Sequence, residues 1–176
     1  MNIDILTVGA LQTNCYIVSK DNKCLIIDPG AEENFIVSKI LEDNFTPVGI
    51  IITHNHNDHT GAADALKKMY GIEIYDYESL FEQKHFLDPF KFQVIYTKGH
   101  TNDSITIYFY EYGCMFTGDF LFKEDIGRTD LDGGSPKDML ESIKKIKQYE
   151  DDIKIYPGHG ESTTIEHEKK HNEYLK

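Results

Sequence analysis

The sequence predicts an α/β fold in which two β-sheets pack against each other and helices lie outside them. Three observations point there. Eight short runs are mostly rich in β-branched or aromatic residues, helical patterns interrupt them in both halves, and no linker, long-period repeat or low-complexity tract divides the chain. A length of 176 residues suits one domain that buries about two-thirds of its surface, so 1–176 is read as a single domain.

Strands are expected at residues 3–8, 15–19 and 24–28, then a helix over 32–42 and a strand over 49–53. A second helix is expected over 59–69. The strands that follow are placed at 92–97, 104–110 and 114–117. A third helix spans 136–147, with Ser135 as N-cap, Pro136 at the first helical position, and Met139, Ile143 and Ile146 on one face. A strand at 153–156 and a helix over 163–174 close the chain.

Composition narrows the function. The hydrophobic fraction is 40% and mean hydropathy is −0.45, as in an ordinary soluble protein. Lys and Arg number 18 against 30 Asp and Glu, a formal charge of −12, so nucleic acid is not an expected partner. No apolar run reaches membrane-span length, and Met1-Asn2-Ile3-Asp4 lacks the basic start of a secretory signal. Three Cys form no C-x-x-C pair. Cys15, Cys24 and Cys114 are read as buried core thiols, and the cytoplasm as the expected location.

The chemistry is concentrated in Thr53-His54-Asn55-His56-Asn57-Asp58-His59, directly after the apolar run Val48-Gly49-Ile50-Ile51-Ile52. Imidazole nitrogens and carboxylate oxygens at a stiff strand end suit zinc, and also iron or manganese. Three further groups follow apolar runs in the same way. They are Lys98-Gly99-His100-Thr101, Thr117-Gly118-Asp119 and Pro157-Gly158-His159-Gly160. Four strand-end ligand groups in one short chain indicate a metal centre.

At these residues the chain resembles the metallo-β-lactamase superfamily, and within it the glyoxalase II-like hydroxyacylglutathione hydrolases. The resemblance runs from Gln12-Thr13-Asn14-Cys15-Tyr16 to His159. It implies a four-layer αββα sandwich with two divalent metal ions, zinc foremost, with iron or manganese as alternatives. His54, His56 and His100 would hold one ion, Asp58, His59 and His159 the other, and Asp119 would bridge them. True class B β-lactamases commonly have Cys where Asp119 stands here, which argues against antibiotic hydrolysis. Seventeen residues follow His159, room for one terminal helix, so the C-terminal glutathione-binding domain of glyoxalase II proper is not expected.

The implied reaction is hydrolysis of a small thioester by a metal-bridging hydroxide, with Asp58 orienting it and accepting a proton. Asp28, at the end of Ile26-Ile27-Asp28-Pro29-Gly30, is expected to hold a ligating His in its correct tautomer. Arg128, in Ile126-Gly127-Arg128-Thr129-Asp130, is the only Arg beside 17 Lys. Either it grips a substrate carboxylate or it pins its loop by pairing with Asp130. The Gly-Arg-Thr-Asp segment also resembles that of persulfide dioxygenases, which would use one iron at His54, His56, His100 and Asp119. A non-catalytic binding module is the third reading, and the complete ligand set argues against it. His85, His167 and His171 are assigned to solvated faces. The acyl group, the thiol carrier and the oligomeric state stay open.

Overall fold

The computed structural model describes all 176 residues. Its first half builds a five-stranded sheet from β1 (Asn2–Val8), β2 (Thr13–Lys20), β3 (Lys23–Ile27), β4 (Thr46–Ile51) and β5 (Ile74–Tyr75), in that order. Its second half builds a six-stranded sheet from β6 (Lys84–Leu87), β7 (Phe90–Tyr96), β8 (Ile105–Phe109), β9 (Cys114–Gly118), β12 (Lys154–Pro157) and β13 (Thr163–Thr164). A small ribbon of β10 (Leu121–Phe122) and β11 (Asp125–Ile126) lies between β9 and the third long helix.

Three apolar cores separate four layers. Tyr16, Val18, Leu25, Ile27 and Ile51 meet Phe92, Val94, Ile107 and Phe116 between the sheets. On the outer face of the first sheet, Cys15, Ile17, Cys24 and Ile26 pack on α1 (Glu33–Glu42) through Ile36 and Ile40, and on α3 (Ala63–Tyr70) through Leu66. On the outer face of the second, Met115, Ile153 and Ile155 pack on α4 (Pro136–Ile146) and α5 (Ile165–His171) through Met139, Ile143, Ile146 and Ile165. Central strands are thus apolar on both sides, which is why they read as unbroken runs. Alternate residues of β2 and β3 serve different cores. The expected αββα sandwich is the observed fold.

Three expectations need correction. The helix over 59–69 is two pieces, α2 (Asn57–Thr60) and α3, because the Ala62 amide donates to Pro29 O at 2.9 Å instead of continuing a helical ladder. Gly61 makes that break possible: a Cβ there would strike the Gly30 carbonyl. The expected helix over 163–174 begins as strand β13 and turns helical at Ile165, where the Thr164 hydroxyl accepts from the His167 amide at 3.1 Å. Short strands β5, β6, β10, β11 and β13 have too few residues to print an alternation. His85 lies in β6, partly exposed and stacked on Phe92 at 5.6 Å. Cys15, Cys24 and Cys114 are all free and buried, as expected.

Strand direction places the chemistry. β3 runs parallel to β4, and β12 parallel to β9, so each pair delivers its C-terminal ends to one edge. There the sheets are laced together: Ile105 N donates to Thr53 O at 2.9 Å and Asn14 N to Gly158 O at 2.7 Å.

Candidate metal centre

All seven residues expected as ligands converge at that edge. Their donor atoms form three overlapping groups: His54, His56 and His100; His54, His59 and Asp119; and Asp58, His59 and His159, each within 4.8 Å. His54 to His59 lie on the β4 exit and α2, His100 beyond β7, Asp119 beyond β9, and His159 beyond β12. Gly158 allows the close approach, since a Cβ there would run into Asp119 Oδ1 and lie 2.6 Å from His59 Cε1.

The hydrogen bonds behind the imidazoles decide which nitrogen faces inward. His59 Nδ1 donates to Asp28 Oδ2 at 2.9 Å. His54 Nδ1 donates to Thr53 Oγ1 at 3.1 Å, and that hydroxyl donates to Asp28 Oδ2 at 2.7 Å. His100 Nδ1 donates to Arg128 O at 2.8 Å, and His159 Nδ1 to Leu11 O at 3.0 Å. Each of these four rings therefore turns a bare Nε2 into the centre. Asp28 lies within hydrogen-bonding reach of His59 directly and of His54 through Thr53.

These residues fit divalent ions. His56 Nδ1 lies 3.1 Å from both His54 Nε2 and His100 Nε2, although the latter two have no proton to share. A tetrahedral ion with nitrogen ligands at about 2.0–2.1 Å needs them roughly 3.3 Å apart. On the other side, Asp58 Oδ2 is 3.3 Å from His159 Nε2 and 3.6 Å from His59 Nε2. Asp119 lies between the groups, with Oδ1 3.3 Å from His59 Nε2 and Oδ2 3.4 Å from His159 Nε2 and 3.8 Å from His100 Nε2. Both His59 Nε2 and Asp119 Oδ1 are buried without a hydrogen-bond partner. Such orphaned lone pairs are costly unless a cation answers them.

Proton affinities diverge across the cluster. Burial holds the His54 imidazole well below its ordinary value, reinforced by neighbouring His59. Burial also opposes a charged His59, but Asp28 and Asp119 outweigh it and push that ring up to about 10. Burial would raise Asp119, yet the imidazoles of His159 and His59 facing it hold it well below the carboxylate range. A bound cation would replace the proton that these carboxylates otherwise hold on His59.

Three supporting residues escaped the sequence reading. Thr13 Oγ1 donates to Asp58 Oδ2 at 3.1 Å. The Asn14 side chain donates to Pro157 O and Gly160 O at 3.1 and 2.9 Å, and Leu11 offers only a carbonyl. The side chain of Arg128 makes a two-pronged pair with Asp130, both bonds 2.7 Å, with both side chains mostly exposed. Its carbonyl, not its guanidinium, touches the ligand set. His167 bonds Glu124 at 2.8 Å, and with His171 it stands apart from the centre.

Asp28→Asn keeps an acceptor for the Thr53 amide but turns an NH2 group towards His59 and the Thr53 hydroxyl. Metal affinity should fall about 10–100-fold, the scale of losing an outer hydrogen-bond partner. Competition against a chromogenic chelator measures it, and wild-type affinity would remove Asp28 from this role.

Comparison with known proteins agrees with this geometry. The metallo-β-lactamase superfamily profile matches residues 8–85 and 76–159. The hydroxyacylglutathione hydrolase GloC of Haemophilus influenzae is 36% identical over 208 aligned positions, covering 99% of this chain and 98% of that protein. The BLEG-1 B3 metallo-β-lactamase superposes with a TM-score of 0.93 at 29% identity, covering 99% of both chains. TTHA1623 in a di-iron-bound form gives 0.91 at 28%, covering 98% of this chain and 100% of that one. The chain belongs to the metallo-β-lactamase superfamily, whose fold and divalent-metal chemistry its His and Asp cluster matches.

Proposed function

We propose that the protein is a binuclear metal-dependent hydrolase of a small thioester, of the S-hydroxyacyl-thiol kind. The observation that carries this reading is the complete set of seven inward donor groups, with Asp119 facing both halves. That number exceeds what one tetrahedral ion takes. The likeness to a hydroxyacylglutathione hydrolase supports the substrate class. Zinc fits the donor set best, while the di-iron relative supports iron as an alternative and manganese remains open. Buried free thiols support a cytoplasmic location, and the acidic charge supports a small-molecule partner over nucleic acid. We read residues 1–176 as one domain.

Two divalent ions held by these residues would supply a nucleophile at neutral pH and a Lewis acid for the carbonyl oxygen. The residues provide the rest. Asp58 holds Oδ2 towards His59 and His159, and in this reading its other oxygen orients the nucleophile and takes its proton. A cavity of about 420 Å³ opens beside His54 and Asn55, lined also by Tyr77, Lys98, Asn102 and Asp103. It can take the thiol carrier. The thiolate leaves without needing a strong general acid. Arg128, exposed and tied to the centre through its carbonyl on His100, would in this reading exchange its bond to Asp130 for a substrate carboxylate.

Persulfide dioxygenation is the second reading. His54, His56, His100 and Asp119 alone would suit one iron, and a relative of this fold holds iron. Assay of purified protein with metals quantified, against S-lactoylglutathione, glutathione persulfide and a β-lactam, separates the readings. Two ions per chain with thioester hydrolysis are expected. A single iron with no second ion taken up on titration overturns the binuclear hydrolase.

Asp58→Asn should remove most hydrolysis and weaken the second ion more than the first, since the amide loses the charge that binds a cation and accepts a proton. Near-normal turnover with both ions loaded would count against both roles. His167→Ala should leave metal content and rate unchanged. Arg128→Lys should act on KM, by about 1–3 kcal/mol if a two-pronged bond to substrate is lost. An unchanged KM would leave Arg128 with its Asp130 pair alone.

A further inference from the structure

We propose that Thr13 is a positioning residue for the second metal position, and that residues 11–14 make occupancy of that position separable from the first. This rests on the binuclear reading above. Thr13 is buried at the start of β2, yet its hydroxyl points out of the sheet and donates to Asp58 Oδ2 at 3.1 Å. That oxygen is the one facing His59 Nε2 and His159 Nε2. Two residues earlier, Leu11 O takes the Nδ1 proton of His159 and so presents Nε2 inward. Thr13 also pairs with His159 as an isolated bridge, and Asn14 clamps the carbonyls of Pro157, Gly158 and Gly160 on either side of it.

One four-residue segment thus fixes two of the three groups in Asp58, His59 and His159. It touches none of the first group. His54 is set through Thr53 and Asp28, and His100 through Arg128 O. Within the second group the two side chains this segment holds are the open ones: Asp58 and His159 are 25% and 26% exposed, against 0% for His59. A carboxylate open to water on one side is free to rotate, and the Thr13 hydroxyl is the side-chain donor that stops it. Losing that hydrogen bond lets Asp58 turn away from His159, which dismantles the second group and leaves the first intact.

The test strips the full chain of metal and titrates Zn²⁺ against a chromogenic chelator, reading each equivalent separately, with elemental analysis of the protein as purified. Thr13→Val keeps the shape and removes the donor. We expect the first equivalent to bind as in wild type and the second to weaken about tenfold or more. The metal-free melting temperature should stay near wild type. Thr13→Ser should restore the second equivalent, and Thr13→Ala should reproduce its loss, which guards against a packing artefact at Val. Equal weakening of both equivalents, or none in either Val or Ala, overturns the proposal. So does a wild-type protein that takes up only one equivalent, which sinks the binuclear reading with it. Two equivalents in wild type without thioester hydrolysis would sink the proposed substrate and leave the role of Thr13 standing.

Discussion

Asp28 is buried at 1% exposure in a left-handed backbone conformation, φ 51°, and receives hydrogen bonds from the Thr53 amide, the Thr53 hydroxyl and His59 Nδ1 at 2.8, 2.7 and 2.9 Å. A buried carboxylate is costly unless it is satisfied in this way. Its three bonds set the inward nitrogen of His59 directly and that of His54 through Thr53, so the two halves of the centre share one anchor. The anchor depends on strand register. Ile27 of β3 pairs with Ile51 of β4, and the Asp28 amide donates to Ile51 O at 3.0 Å, which brings the exits of both strands side by side. A slip of one residue would turn every apolar side chain of β3 to the opposite core and carry Asp28 away from Thr53.

That dependence explains why so much of the centre was legible in the sequence. Ligands at the ends of strands buried on both faces follow continuous apolar blocks, and blocks such as Val48 to Ile52 are visible without any structure. Asp28 could be read in the same way, as a polar residue closing Ile26-Ile27. Helix α4 was legible because its cap, its proline and its apolar face agree, and Ser135 does accept from the Asp138 amide at 3.2 Å. What stayed hidden rests on partners far away in the chain. The break between α2 and α3 is imposed by Pro29 and Gly30, some thirty residues upstream. The carbonyls of Leu11 and Arg128 orient His159 and His100, and any residue supplies a carbonyl. The single arginine drew notice for its guanidinium, while the part of it that touches the ligand set is a backbone oxygen.

The cluster's charges complete the argument. Rings of His54 and His59 lie 4.2 Å apart, yet one is driven far down in proton affinity and the other up to about 10. Burial acts on both. The difference is that His59 faces Asp28 and Asp119 directly, whereas His54 meets Asp28 only through the neutral Thr53 hydroxyl. Asp28 and Asp58 thus stand on the His59 side of the cluster, Asp119 lies between the halves, and His54, His56 and His100 make up the other side. On the binuclear reading, two dications against the carboxylates of Asp28, Asp58 and Asp119 would leave one formal positive charge in a largely buried site. Such a site would favour hydroxide over water and stabilise an oxyanion developing beside it, because charge is poorly screened there. The same surplus would make a neutral or anionic acyl substrate a better guest than a cationic one, on a chain whose net charge of −12 would otherwise repel anions at long range.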